Sequence, residues 1–422
     1  MNGKNIIIIG AGASGLAAAC AAAEAGARVT VLEKNHVPGR KILSTGAGKC
    51  NLTNSLVTSG RYHGGTPDFI GKTLKALPPD NILAFFESLG LLTVQESDGR
   101  VFPRSMKASD VVNALVNFIC WKNSGIKLLT EVVGVKKTQI GFEVLTRRVP
   151  PKWEKKATPG PQTTLKCDAV ILAAGGPAYP QIGGSDSGYD LARSLGHAVT
   201  EPEPVIVPLK IKESFVTQVE GIRVQAALEL LAGGKVIARS RGEVLFTRYG
   251  LSGPAVLDLS RAAVFALKTG PIKCRLDLFP EYTAPDFSAF MLARREEMAD
   301  RFWRMFLCGL ADERLTLLLS DLAKVGSDKL VSAVPVKAFD GFVRLLKGLE
   351  LEITGSLGFE DAMVAAGGVD TSEVSPETFE SRKVKDLFIT GELLDIDADS
   401  GGYNLHFAWT SGLLAGRAAS AQ

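Results

Sequence analysis

The chain has 422 residues, which at roughly 150 residues per domain points to two or three domains. Hydrophobic residues make up 46% and charged residues 22%, which excludes a disordered chain. Lys+Arg 48 against Asp+Glu 45 leaves a net charge of +3 without the basic stripe of a nucleic-acid binder. The six cysteines (Cys20, Cys50, Cys120, Cys167, Cys274, Cys308) never form C-x-x-C, and the four histidines lie apart. A zinc ribbon, a disulfide scaffold and a His-rich metal site are therefore not expected, and a reducing, cytoplasmic compartment is.

Asn5 to Ala23 is uncharged and imitates a membrane span, but Gly10, Gly12 and Gly15 interrupt it and Glu24 follows. No membrane association is expected. Ile6 to Ile9 reads instead as a buried parallel strand. Residues 13–25 read as an Ala-rich helix stopped by Gly26, and Arg28 to Leu32 as a second strand ending at Glu33. This is one βαβ unit. Residues 34–65 are rich in Gly, Ser, Thr and Asn, with the irregularity of a ligand-binding segment. Helices are expected over 80–90 and 108–122, strands over 126–149, a polar loop over 150–163 (Lys152, Lys155 and Lys156 among it), and a strand from Cys167 to Ala173. Val205 to Thr247 reads as short antiparallel strands turning at Gly233-Gly234, and 285–348 as helical. Leu351 to Ile353, Met363 to Ala366 and Leu387 to Thr390 read as strands before a last helix at about 405–420.

Gly10-Ala11-Gly12-Ala13-Ser14-Gly15 is G-x-G-x-x-G between strand and helix. Its glycines permit the turn, the approach of a pyrophosphate and close packing of helix on strand, while the helix N-terminus favours the phosphates. Glu33, followed by Lys34, is placed to accept from ribose hydroxyls. An acid there suits an unphosphorylated ribose, leaving FAD or NAD. The far end of the chain favours FAD. Gly391-Glu392 ends an apolar strand and offers a carboxylate to a ribityl chain. Gly402-Tyr403-Asn404-Leu405 opens the last helix and offers backbone N–H to a flavin ring edge. In the loop 39–54, Arg40 and Lys41 can neutralise pyrophosphate, Gly46 and Gly48 permit backbone approach to the ring, and Asn51 and Leu52 follow at its edge. Ala174-Gly175-Gly176 ends another strand beside the nucleotide.

Three blocks carry a resemblance: Gly39 to Asn54, Gly242 to Thr247 with Gly250 to Pro254, and Gly391 to Asp395 with Ser400 to Leu405. Together they resemble the YhiN/BaiN-type flavoproteins, the HI-0933-like NAD(P)/FAD-dependent oxidoreductases. The resemblance spans nearly the whole chain. It implies FAD, backbone contact to adenine from Val132 or Val133, an inserted β-barrel of translation-factor type and a small helical insert; the local motif for covalent attachment through His is missing, so the FAD is expected to be noncovalent. More distantly, Gly183 to Gly188 resembles fumarate-reductase flavoproteins.

The expected fold class is thus α/β. A Rossmann-like FAD-binding domain from both chain ends (1–198 and 355–422) carries an inserted antiparallel β-barrel domain (199–282 and 336–354) and a helical insert (283–335). The expected function is an FAD-dependent oxidoreductase transferring hydride through flavin N5, fed by NAD(P)H as a transient reductant, on a small activated substrate. Oxygen-dependent oxidation of an amine such as aminoacetone is the alternative, and a flavin-containing RNA- or protein-interaction module the reading from another class. Lys49, Cys50, Tyr403 and His406 are the catalytic candidates. Cys50 lacks the nearby second cysteine that dithiol chemistry needs. Asp395-x-Asp397-x-Asp399 imitates a calcium loop, but Ser400 and His406 stand where the glycine and the bidentate glutamate belong. Substrate and oligomeric state stay open.

Overall fold

The computed structural model describes residues 3–151, 153–154 and 158–421; Lys152, Lys155 and Lys156 of the expected polar loop lie outside them. The chain divides into two units, Met1–Glu203 with Val364–Gln422, and Pro204–Met363.

The first unit is built on a parallel sheet ordered Leu387–Ile389, Ala169–Leu172, Asn5–Ile9, Arg28–Leu32, Gly125–Lys127. Asn5–Ile9 is central, which explains its unbroken run of isoleucines. Ile6 to Ile9 are all buried, each contributing about 1.5–3 kcal/mol by leaving water. The helix Ala13–Glu24 is rich in alanine for a packing reason. The final helix Tyr403–Ser420 lies so close that a Cβ on Gly412 would stand 2.2 Å from the Ser14 carbonyl oxygen, and one on Gly416 2.3 Å from that of Ala18. Both chain ends therefore share one core, a consequence of small residues facing small residues.

The segment expected to be irregular, 34–65, contains a short helix Arg40–Ser44 and strands Thr53–Asn54 and Tyr62–Gly64. These strands pair with distant partners, Arg100–Pro103 and Ile396–Ala398, so local periodicity carried no sign of them. A further helix, Pro67–Ala76, lies beyond the expected elements; Thr66 caps it by accepting from the Phe69 N–H at 3.2 Å and Pro67 sits at its first position.

In the second unit, six strands close into a barrel ordered Leu209–Ile211, Gly250–Ser252, Lys235–Thr247, Arg223–Ala232, Ile272–Asp277, Leu349–Ser356, with Leu209 opposite Ser356 at the seam. Two of these strands are long rather than short, at 10 and 13 residues. They turn at Gly233 and Gly234, whose φ values of +55° and +79° suit a two-residue hairpin. Helices Ala284–Glu297, Glu313–Leu322 and Val336–Gly348 belong to the same unit. Trp303 and Phe306 stack within its core with centroids 4.6 Å apart, and Trp303 Nε1 donates to Ser320 Oγ at 2.6 Å.

Candidate functional site

Parallel strands end together at their carboxyl edge, and three glycine turns meet there. Gly10 has φ +106°, and a Cβ on it would stand 2.4 Å from the Ala173 carbonyl oxygen; one on Gly15 would stand 1.9 Å from that of Gly10. Gly391, φ +67°, lies so near Ser14 that a Cβ would meet its Oγ at 2.6 Å. Gly12 differs: nothing lies within 4 Å of a Cβ placed there. Its backbone is extended (φ −81°, ψ −168°), a conformation open to any residue, and it caps a helix with no acidic side chain in the first turn. A glycine demanded neither by strain nor by a protein neighbour leaves a cradle at the helix N-terminus, where unpaired N–H groups favour phosphate.

Glu33 is buried and reaches into this turn. Its Oε2 accepts the Ala11 N–H at 2.8 Å, and its Oε1 accepts the Asn35 N–H at 2.8 Å and Nδ2 at 2.7 Å. Arg40 Nη1 donates to Asn35 Oδ1 at 3.2 Å, which chains the guanidinium to the acid. Burial holds the Lys34 ammonium below its ordinary pKa, partly offset by Glu33, Glu131 and Asp186. Residues 127–130 run beside this end, with Thr130 N–H donating to the Glu33 carbonyl at 2.9 Å. In the following strand the ladder passes from Val132 to Gly134 at a register shift. Val133 is the residue left over, so its main chain is the one such a bulge leaves unpaired.

Glu392 stands just beyond the carboxyl end of the outermost strand, Leu387–Ile389. Its Oε2 accepts from Lys41 Nζ at 2.6 Å and its Oε1 from the Ala365 N–H at 3.0 Å. Gly175 and Gly176 approach this carboxylate, and the buried Tyr189 hydroxyl faces Gly176 without a hydrogen-bond partner. Lys41, expected at the pyrophosphate with Arg40, is thus drawn to Glu392 instead.

At the other end, the loop 39–54 is clipped to the last helix. Asn54 Nδ2 donates to the Gly401 carbonyl at 3.0 Å, Trp409 Nε1 to that of Leu52 at 2.9 Å, and Tyr62 Oη to that of Tyr403 at 3.0 Å. Thr53 Oγ1 and His406 Nδ1 are 2.9 Å apart. Gly46, Ala47, Gly48 and Cys50 all take positive φ (+55°, +55°, +84°, +62°), the local strain that recurs at ligand clamps. Asn51 Oδ1 is buried without a partner beside Gly402, where a Cβ would crowd it at 2.8 Å. Tyr403 and Asn404 lie inside the first turn of this helix, which begins two residues earlier than periodicity indicated. Asn404 binds the main chain of Ala398 in both directions, at 2.9 and 2.8 Å.

These features fit FAD. A bare helix N-terminus, a buried carboxylate at a strand end and buried polar atoms without partners (Asn51 Oδ1, Tyr189 Oη, His406 Nε2) lie along one edge of one unit.

The catalytic candidates fare unequally. Lys49 is exposed. Burial pushes the Cys50 thiol up to about 12, so it lacks the thiolate that attack requires. Burial pushes His406 down to about 4, so its ring is neutral near pH 7 and is no imidazolium donor. Tyr403 is buried beneath the Arg61 guanidinium, 5.6 Å from its centroid. Arg61 and His63 carry no sequence signal and Asp399 shows only in the mock calcium loop, because their convergence depends on a pairing between distant strands. Among the described residues, no group of three His, Cys, Asp or Glu is placed to hold a metal, and no helix is long and apolar enough to cross a membrane.

Residues 4–418 match the family model described as HI0933-like protein Rossmann domain. The chain belongs to this family. It is a family of FAD-dependent oxidoreductases with a Rossmann-type nucleotide-binding fold. The chain is 37% identical over 424 residues to the 3-dehydro-bile acid delta(4,6)-reductase of Clostridium scindens, covering 99% of each. It is 30% identical over 413 residues to the ribosomal RNA dihydrouridine synthase of Escherichia coli, covering 96% of this chain and 95% of the relative. Among solved structures, the 3-ketosteroid delta1-dehydrogenase of Sterolibacterium denitrificans shares the fold over 100% of both chains, with a TM-score of 0.53 at 11% identity.

Proposed function

We propose that this HI0933-like protein is an FAD-dependent reductase that saturates a carbon–carbon double bond conjugated to a carbonyl. The observation that carries the reading is the single edge with a bare helix N-terminus at Gly12, the Glu392 carboxylate beyond the outer strand, and the strained Gly46–Cys50 loop beside the Gly402 turn. Bound there, FAD supplies hydride exchange at its N5. Gly12 to Gly15 would hold the pyrophosphate, Arg40 would add positive charge beside it, and Glu33 would receive the ribose. Val132 or Val133 would offer main chain to adenine. Glu392, fixed by Lys41, would orient the ribityl chain. Asn51 and the N-terminal main chain of residues 402–405 would bind the polar rim of the ring, where helix N–H groups favour developing negative charge.

The substrate class is supported by the two relatives. Both names describe saturation of a double bond conjugated to a carbonyl, one in a steroid ring and one in a pyrimidine. The flavin is held noncovalently and NAD(P)H is the reductant, approaching transiently because the chain has a single G-x-G-x-x-G in a βαβ unit. Six unpaired cysteines suit a cytoplasmic location. Against an RNA-binding barrel, its basic side chains are largely paired across strands: Arg223 with Glu243, Arg239 with Glu229, Arg275 with Glu229 and Glu350, Lys212 with Glu352.

Anaerobic mixing tests the reading. NADPH or NADH should bleach the flavin of the loaded chain, and an α,β-unsaturated steroid ketone or a uridine-containing RNA should restore it. Bleaching by an amine alone would move the protein to the oxidase class.

A further inference from the structure

Strand Tyr62–Gly64 pairs antiparallel with Ile396–Ala398, Tyr62 opposite Ala398 and His63 opposite Asp397. The Asp399 N–H then donates to the Arg61 carbonyl at 2.9 Å. This register delivers a guanidinium and an imidazole to one carboxylate. His63 Nε2 lies 2.9 Å from Asp399 Oδ1, and Arg61 Nη1 lies 3.3 Å from Oδ2. Asp399 is two residues before the Gly401-Gly402 turn that opens the last helix. The side chains of His63, Arg61 and Asp399 keep 33%, 49% and 29% of their accessibility.

We propose that Arg61 and His63, held by Asp399, form the substrate-facing edge of the site, with Arg61 gripping the carbonyl oxygen and His63 delivering the proton. The proposal rests on the reading above that the reacting ring lies at the Gly402 turn. Two observations carry it. Asp399 occupies Nε2 of His63, which fixes the ring and leaves Nδ1 as the nitrogen that exchanges a proton. Arg61 spends one nitrogen on Asp399, and its Nε and Nη2 hydrogens have no acceptor among the described residues; its plane is steadied over the Tyr403 ring.

The chemistry balances. Reduced FAD, held at this edge, would supply the hydride that the β-carbon gains, and Arg61 would face the conjugated carbonyl oxygen as it takes up the negative charge. The α-carbon takes the Nδ1 proton of the His63 imidazolium, the double bond becomes single, and solvent reprotonates the imidazole. The charged groups around His63 are Asp399 in contact with it, Arg61 on the same carboxylate, Asp397 across the ladder and Asp395 beside Gly64.

The test uses the full FAD-loaded chain and its H63Q, R61M and R61K variants, with an α,β-unsaturated steroid ketone and a uridine-containing RNA as probes. All should retain flavin, its spectrum and reduction by dithionite. H63Q should bind the accepted probe in the oxidised state as the parent does, yet reoxidise about a hundredfold more slowly after anaerobic reduction. Its residual rate should lose the parent's fall at high pH. R61M should weaken probe binding about tenfold by calorimetry, with R61K recovering part of it. Reoxidation of H63Q at the parent rate, or unchanged binding by R61M and R61K, overturns this assignment and leaves the reductase reading intact. If the parent's reduced flavin is reoxidised by neither probe, the reductase reading falls and takes the assignment with it. Should H63Q shed its flavin, the R61M and R61K binding measurements decide alone.

Discussion

Lys41 and Glu392 are 351 positions apart in the chain, and their Nζ and Oε2 atoms are 2.6 Å apart. The bridge ties the first family block to the last across the strand ends, between the Gly12 cradle and the Gly402 turn. It is partly buried, with 30% and 20% of the side chains accessible, so it acts as a positioning device for the Glu392 carboxylate.

Breaking it should loosen cofactor before fold. Lys41→Met should weaken FAD binding by about 1.5–3 kcal/mol, the worth of a charge-assisted hydrogen bond, while the melting temperature of the flavin-free chain changes little. Calorimetric titration and a thermal scan on the same preparation check this.

Two glycines of one motif should respond in opposite ways. Gly12→Val meets open space and permissive backbone, so the flavin-free protein should stay within about 0.5 kcal/mol of the parent. Its FAD affinity should fall about a hundredfold, or about 2.8 kcal/mol. Gly15→Ala sets a Cβ against the Gly10 carbonyl and should cost about 1–3 kcal/mol of stability or more. Denaturant unfolding beside FAD titration separates the two.

His406 makes stability depend on pH. Burial holds its folded pKa down to about 4, against an unfolded value of about 6.5. The unfolded chain therefore binds the proton more tightly. This contribution is fully present above about pH 6.5 and is lost as pH falls toward about 4, amounting to about 3 kcal/mol. His197, also lowered by burial, adds in the same direction. His406→Asn should flatten part of the slope of unfolding free energy between those limits, and an unchanged slope would assign the loss elsewhere.

A second polar cluster is structural. His197 Nδ1 lies 2.8 Å from Glu373 Oε2 and its Nε2 lies 2.9 Å from Ser381 Oγ, which resembles a hydrolytic triad. However, Ser381 Oγ already accepts the Lys383 and Val384 N–H groups at 3.1 and 2.9 Å, and the residue is buried. A hydroxyl so engaged is no nucleophile. Glu373→Ala should strand His197 and the Ala198 N–H and cost about 2–4 kcal/mol. Serine-reactive fluorophosphonates should leave Ser381 unlabelled, which mass spectrometry of the peptide checks.

What could be read from sequence alone follows the range of each interaction. Gly10 to Gly15, Ile6 to Ile9 and Glu33 act within one βαβ unit, and their spacing is their structure. The Gly233-Gly234 hairpin is equally local. By contrast, the bulge at Val133 depends on how the partner strand aligns, and the Arg61–His63–Asp399 cluster on a pairing between chain ends. The capture of Lys41 by Glu392 was hidden for the same reason, since two flanking cations look equivalent until one finds a carboxylate. The Thr66-Pro67 helix start is a local signal too, masked by the turn residues that precede it.

The most direct test of the account is titration of flavin-free full-length protein with FAD, followed by heat and by the visible spectrum. The account predicts saturation at one FAD per chain, a shifted and structured flavin band, and loss of both in Gly12→Val while its fold persists. Absence of heat and of any spectral change with the parent chain, or equal binding by Gly12→Val, would contradict it.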